Sequence, residues 1–184
     1  MSRGVLRQRG HMGIRYYAYA FDADQTEAAL AEPGRFLSGD PLADAWGLEP
    51  GRAVSVNVTF TQRPPKREML YLDKAWTHLQ LITSVGAEQS VPRPAFQLFE
   101  GQVTMHDLGW DPWIRAVTPE EVTLADQDLA TITDQEAESR VRQWYRGFRD
   151  ADDEVRYALD FLERARLFVH GLAEDGRGMA YMIG

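Results

Sequence analysis

The stretch MLYLDKAWTHLQLIT, from Met69 to Thr83, places four side chains capable of chemistry close together. They are Asp73, Lys74, Trp76 and His78. In a ligand pocket, Lys74 would attract an anionic group and Trp76 would form an apolar wall. The same pattern also fits a capped core helix, with Asp73 as its N-cap and Trp76 packed inside. Both interpretations predict that the residues lie at the start of a helix.

A second group of candidates occurs in the stretch HDLGWDPWIR. Its members are His106, Trp110, Asp111, Trp113 and Arg115. His106 or Asp111 could act as an acid or a base, and the two residues together with Asp107 could hold a metal ion with an open position. Tryptophan and arginine in a loop are also the composition of a binding surface, although core packing is the commoner fate of tryptophan. Together with Lys74 and Trp76, these residues form the predicted ligand or partner surface.

Several kinds of reactive site are missing from the sequence. The chain contains no cysteine, which removes thiolate metal ligands, disulfides and cysteine nucleophiles. It lacks the G-x-S-x-G, S-x-x-K and H-E-x-x-H motifs, and no glycine-rich phosphate loop follows a predicted strand. We therefore predict no catalytic residue, no metal and no cofactor.

The charge of the chain narrows the choice of partners. With 28 acidic and 20 basic residues the formal net charge is -8, which disfavours nucleic acid and suits a basic protein partner. No apolar run reaches the roughly 18 residues of a membrane span, so we expect no membrane partner. A chain without cysteine suits the reducing cytoplasm, where we place the protein as a monomer or homodimer.

The elements that must position these residues follow from local patterns. The aromatic run Gly13 to Phe21 predicts a strand, and Asp24 is the expected N-cap of the helix after it. Strict alternation of apolar and polar residues predicts a strand over Ala53 to Thr61. The spacing of Leu72, Ala75, Trp76 and Leu79 predicts a helix over 72–82.

From TPEEV onwards the chain is predicted to be mainly helical. TPEEV and TDQE have the pattern of helix starts, with Thr118 and Thr133 as N-caps. A long helix is predicted from about Asp153 to Glu174, with Gly176 as its C-cap. It leads into a C-terminal strand that is apolar on both faces and therefore central. We predict a single α+β domain with a small mixed sheet packed against about four or five helices.

These pieces together resemble one known family. The aromatic strand, LDKAW (Leu72 to Trp76), TPEEV, and a final helix leading to G-x-G and a short strand are similar to the YfbM-like family of uncharacterised bacterial proteins. The resemblance covers residues 12–184, predicted to be a single domain, and leaves 1–11 as a disordered extension or tag. It implies a compact α+β fold and no established activity. Similar sequences tend to carry histidines where this chain has Thr77 and Gln80.

The sequence alone leaves two functions open. We favour a cytosolic, non-enzymatic binding protein, one form of which is an immunity-type protein that covers a toxin with an acidic surface. The alternative is a small-molecule-binding protein or enzyme with a pocket near the N-terminus of the 72–82 helix. The partner is accordingly an unidentified protein or small molecule.

Overall fold

The computed structural model describes residues 13–46, 68–84, 91–145 and 150–184. The strand predicted over Ala53 to Thr61 and the extension predicted over 1–11 lie outside these ranges.

The described residues form six strands and six α-helices, joined by short 3-10 turns. The strands are β1 (Tyr16–Phe21), β2 (Met69–Asp73), β3 (Thr104–His106), β4 (Gly109–Asp111), β5 (Trp113–Val117) and β6 (Gly178–Ile183). The helices are α1 (Thr26–Ala31), α2 (Pro41–Ala45), α3 (Trp76–Thr83), α4 (Pro119–Leu129), α5 (Asp134–Trp144) and α6 (Ala151–Glu174). The predicted α+β class is confirmed.

Four strands form the main sheet in the order β2-β1-β6-β5, and β3 pairs with β4 in a separate hairpin. The C-terminal strand is central, as predicted. Among the described residues every strand pair is antiparallel, which corrects the predicted mixed sheet. The apolar pattern of β6 reports burial of both faces, and burial of both faces does not fix the direction of the neighbouring strands.

The two faces of the sheet are covered by different elements. Tyr16 and Ala18 of β1 point into the main core, which the sheet forms with α3, α4, α5 and α6. The alternate residues Tyr17, Tyr19 and Phe21 point to the opposite face, where α1, α2 and the 3-10 turn at Pro33–Phe36 cover it. This two-sided cover explains why five of the six residues of β1 are buried.

The predicted helix caps are confirmed at α4 and α5. Thr118 accepts a hydrogen bond from the backbone N–H of Glu121, whose side chain accepts from the Thr118 N–H in return. Thr133 caps α5 by accepting from the Glu136 N–H. Gly176, with φ +64°, follows the C-terminus of α6.

The cap predicted at Asp24 is wrong. Asp22 occupies the N-cap position of the 3-10 turn Ala23–Gln25 that leads into α1, and its partner in the reciprocal pair of hydrogen bonds is Gln25. In sequence, either aspartate could precede the first helical turn. Which of them becomes the N-cap depends on where β1 ends, and β1 ends at Phe21, directly before Asp22.

The helix predicted over 72–82 begins later than expected. Leu72 and Asp73 end β2, and α3 starts at Trp76 after a turn. Asp73 is therefore not the N-cap of α3, whose N-cap residue is Ala75. Leu72, Trp76 and Leu79 are nevertheless all buried. Leu72 points into the core from the end of β2 and the other two from the apolar side of α3, and their positions in sequence have the same spacing as one face of a continuous helix.

Among the described helices, none is both long and apolar enough to cross a membrane.

Candidate functional site

The turn between β2 and α3 holds a cluster of four polar side chains, the Asp73 cluster: Arg15, Tyr71, Asp73 and Tyr157. The carboxylate of Asp73 accepts hydrogen bonds from Arg15 Nε at 3.0 Å and from the Tyr71 hydroxyl at 3.1 Å, both on Oδ1. Its other oxygen, Oδ2, accepts from the Tyr157 hydroxyl at 3.1 Å. The cluster thus ties strand β2 and the residue before β1 to helix α6, near the position of the pocket in the alternative function.

The backbone of Asp73 is the most unusual in the cluster. Its φ of +47° lies in the left-handed region, and among the described residues no other non-glycine residue has a positive φ. Aspartate tolerates this region better than most residues, and the turn needs it to redirect β2 into α3. Such outliers persist where surrounding contacts fix them, and they concentrate at functional sites.

The two tyrosines of the cluster stay protonated at neutral pH. Burial, followed by the nearby charge of Asp73, raises the pKa of Tyr157 to about 12. The same two causes raise the pKa of Tyr71 further still. Both hydroxyls therefore act as donors, and Asp73 is the acceptor on which the three donors converge.

A second polar pair lies beside the cluster. His78 Nε2 of α3 lies 3.0 Å from Glu154 Oε1 of α6, and both side chains are largely buried. The His78 ring meets the Tyr157 ring edge-on at 6.1 Å. Burial lowers the pKa of His78 below its ordinary value, and the facing carboxylate opposes this shift only in part. The pair joins α3 to α6 with a neutral imidazole at neutral pH.

Acidification is expected to destabilise the protein through His78. Its folded pKa lies below the unfolded value of about 6.5, so the unfolded chain binds the proton more readily. Stability should therefore be full above about pH 6.5 and decline as pH falls towards the folded pKa. Urea unfolding from pH 7.5 to pH 5 measures this, and His78→Gln should flatten the decline.

His170→Gln is the matched control for this prediction. His170 is exposed, and its hydrogen bond to Asp126 raises its pKa, so its contribution to stability has the opposite sign and is lost as pH rises. A pH profile unchanged by His78→Gln would contradict the assignment.

Lys74 and Trp76 lie close to the cluster in sequence but differ in exposure. Lys74 is exposed at the turn, as a residue that meets a ligand would be. Trp76 is only 6% exposed and packs in the main core, where it contributes to the interior and not to an open wall.

The second group of predicted residues forms what we call the tryptophan hairpin: strands β3 and β4, their turn, and the start of β5, residues 104–114. The larger apolar side chains here are exposed: Met105 59%, Leu108 102%, Trp110 38%, Trp113 38% and Ile114 37%. Each residue from Thr104 to Leu108 is exposed. The stretch that the sequence analysis treated as a loop is thus an exposed hairpin with an apolar surface.

Internal contacts hold the hairpin in place. His106 Nε2 lies 2.6 Å from Asp111 Oδ2 across the two strands. The Trp113 ring packs so closely on Gly101, which has φ +103°, that a Cβ there would lie 2.4 Å from the ring. Arg115 bridges Glu100 at 2.5 Å and Glu121 at 3.2 Å. The Trp113 ring and the start of β5 are therefore anchored to the rest of the protein.

The structure brings some of the predicted residues together and adds others. His106 and Asp111 are in contact, whereas Arg15, Tyr71 and Tyr157 were absent from the prediction. Arg15 and Tyr157 lie 58 and 84 positions from Asp73 in sequence, so no local pattern links them to it. Among the described residues, no three His, Asp or Glu side chains are grouped so that they could hold a metal ion.

Comparison with known proteins identifies the fold. A scan against models of protein families gives no match, and a search of curated proteins finds no similar sequence. A search of solved structures finds YfbM from Escherichia coli, a protein of unknown function, at a TM-score of 0.50. The match covers 93% of this chain and 99% of YfbM. The chain has the YfbM fold.

The YfbM-like fold was predicted from the sequence, and this prediction is confirmed. The two sequences are 13% identical, so the similarity extends to the fold alone. YfbM is itself described as a protein of unknown function, and the function of this chain must be argued from its own residues.

Proposed function

We propose that this protein is a cytosolic, non-enzymatic binding protein, and that the tryptophan hairpin is its docking surface for a basic polypeptide. The observation that carries the proposal is the exposed apolar surface of the hairpin, including Met105, Leu108 and Trp110. Tryptophan side chains have only two rotatable bonds and lose little conformational freedom on binding, and they are enriched among the residues that dominate binding energy. Contiguous exposed apolar surface of this kind marks interaction sites.

Charge argues for a basic partner. Residues 100–121 contain five carboxylates and one basic side chain other than histidine: Glu100, Asp107, Asp111, Glu120 and Glu121 against Arg115. Their net charge of -4 is half of the formal charge of the whole chain, -8. An apolar centre with an acidic border complements a partner with an apolar patch and a basic border, and steers it into contact.

One specific form of this function is that of an immunity-type protein, which neutralises a basic toxin by covering its surface. The acidic charge of the chain and of the hairpin region support it. A toxin that binds the protein with the hairpin buried in the complex would meet this description.

The test uses quantitative affinity capture from a lysate of the source organism with wild-type protein and Leu108→Asp. Leu108 is fully exposed at the hairpin turn, so the substitution should change stability by no more than about 0.5 kcal/mol. We expect it to reduce recovery of a basic partner by about tenfold, because the desolvation of a charge on the apolar surface outweighs the added attraction between that charge and the partner.

Leu167→Asp on α6 is the matched control, since Leu167 is 66% exposed and lies outside the hairpin. It should leave recovery of the partner unchanged. Equal recovery with Leu108→Asp and Leu167→Asp, or a partner that is not basic, would refute the proposal.

A small-molecule site at the Asp73 cluster is the second candidate function. The positive φ of Asp73 favours it, together with an arginine and a carboxylate whose side chains are about a third exposed. The mutual hydrogen bonds within the cluster count against it, because a ligand would have to replace contacts that are already made. The substitutions at Asp73 described below separate the two functions.

A further inference from the structure

We infer that the partner binds by adding an extended basic segment as a strand to the free edge of β5. This inference rests on the proposed function and specifies how the docking surface is used. It depends on which backbone groups of β5 are already paired within the sheet and which face outwards.

The hydrogen bonds between Arg15 and Gly184, at the end of the sheet, show which residues of β1 and β6 are bonded to each other. The backbone N–H of Arg15 donates to Gly184 O, and the N–H of Gly184 donates to Arg15 O, both at 2.9 Å. Arg15 and Gly184 therefore form a hydrogen-bonded pair, and every second residue along β1 and β6 repeats it. On this register Met182 turns its backbone groups to β1, so Ile183 and Tyr181 turn theirs to β5.

The same alternation determines which residues of β5 direct their backbone groups to β6. Trp113 stands opposite Ile183, and Arg115 stands opposite Tyr181, so these two residues use their backbone groups to bind β6. Ile114 lies between them, and its N–H and C=O point away from β6. Since β5 is the last strand of the sheet among the described residues, these groups face the open edge.

This edge is accessible and bordered by the tryptophan hairpin. The Ile114 side chain is 37% exposed, and Trp113 beside it is 38% exposed. Edge strands are usually protected by charged side chains or proline. Here Pro112 has no backbone N–H, so an added strand cannot pair with the edge beyond it on the hairpin side. Ile114 carries no charge that would repel an added strand. The available edge is short, so a partner strand would bind through few backbone bonds plus contacts with the hairpin.

The chemistry of the partner follows from these contacts. The outward backbone groups of Ile114 have no partner among the residues that the structure describes, and an extended segment would supply a donor and an acceptor for them. Alternate side chains of such a segment lie on the two faces of the sheet. Apolar side chains on one face would contact Ile114, and basic ones would meet the carboxylates of residues 100–121. A segment that alternates apolar and basic residues combines both features.

The test compares Ile114→Pro with Ile114→Ala. Proline removes the outward N–H, which bonds to no other residue in the described ranges, and proline is tolerated at edge strands in that orientation. Alanine removes the side chain and keeps the N–H. The probes are a short synthetic peptide of alternating valine and lysine and its valine–glutamate counterpart, with affinity followed by tryptophan fluorescence.

We expect wild type to bind the lysine peptide in preference to the glutamate peptide. Ile114→Ala should weaken binding by no more than about threefold, and Ile114→Pro by about tenfold or more, because it removes a main-chain bond and blocks the approach of the strand. Equal weakening by the two substitutions, or none by either, would overturn strand addition.

Amide hydrogen exchange in the wild-type protein provides a measurement that needs no variant. The Ile114 amide should become protected when the lysine peptide binds. If the indoles of Trp110 and Trp113 respond but the Ile114 amide stays unprotected, strand addition is refuted and the hairpin surface stands. If the indole signals do not change on addition of the peptide, and Leu108→Asp leaves partner capture unchanged, both the proposed function and this inference are refuted.

Discussion

Replacing Trp76 with alanine is expected to lower the free energy of unfolding by about 3–5 kcal/mol. The Trp76 ring is 6% exposed and packs in the main core with Leu79 and Leu72, which are fully buried. Removing the ring takes apolar surface from the interior and leaves a cavity that the surrounding helices can fill only in part. Denaturation in guanidinium chloride measures the loss directly.

Trp144→Ala is the control for this substitution. Trp144 is 64% exposed on α5, and its removal should cost about 0.5 kcal/mol or less. If Trp76→Ala is as stable as wild type, the interpretation of Trp76 as a core residue fails. A loss of ligand binding by a stable Trp76→Ala protein would instead support the pocket that the sequence left open.

Replacing Asp73 with alanine is expected to cost about 2–3 kcal/mol. The substitution removes the acceptor shared by Arg15, Tyr71 and Tyr157, and places alanine at φ +47°, where its Cβ is disfavoured. The Asp73 side chain is 32% exposed, so water can replace part of what is lost, and we place the effect below the full value of three charge-assisted bonds.

Two further substitutions at Asp73 separate the effect of its backbone conformation on stability from the effect of its side-chain hydrogen bonds. Asparagine tolerates the left-handed region and keeps one acceptor oxygen, while glycine adopts the region freely but makes no side-chain contact. We therefore expect stability to fall in the order Asp, Asn, Gly, Ala, as measured by thermal and urea unfolding.

Asp24→Ala is the control, because Asp24 is exposed and Asp22 holds the cap that the sequence assigned to it. It should change stability little. If Asp73→Ala is no more harmful than Asp24→Ala, the Asp73 cluster is not what stabilises the turn. The left-handed backbone would then call for another explanation, and a small-molecule site would become the better one.

Local chemistry accounts for the parts of the fold that the sequence predicted. Thr118 and Thr133 cap helices because each oxygen meets an N–H three residues ahead, a contact that needs no other part of the chain. The strand periodicity of β1 and the apolar character of β6 likewise report burial on one or two faces. These signals were enough to predict the α+β class and the central C-terminal strand. The likeness to the YfbM-like family came instead from a resemblance in motifs, above all LDKAW.

The boundary between β2 and α3 shows where local chemistry stops being sufficient. The apolar spacing from Leu72 to Leu79 fits a continuous helix, yet the chain turns sharply at Asp73. That turn depends on β1 pairing with β2 on one side, and on Tyr157 of α6 reaching the Asp73 carboxylate from the other. A left-handed backbone is stable here only because these distant contacts are present.

The sequence by itself determined which reactive residue types and motifs this protein contains, its acidic charge, its helix starts and its tryptophan-rich stretch. These features depend only on residue type and short-range spacing. The tertiary structure decided which residues meet: it buried Trp76, exposed Trp110 and Trp113 on a hairpin, and assembled the Asp73 cluster from three separate elements. The physical reason is that burial and long-range hydrogen bonding are properties of the packed chain, and several packings can satisfy one local pattern.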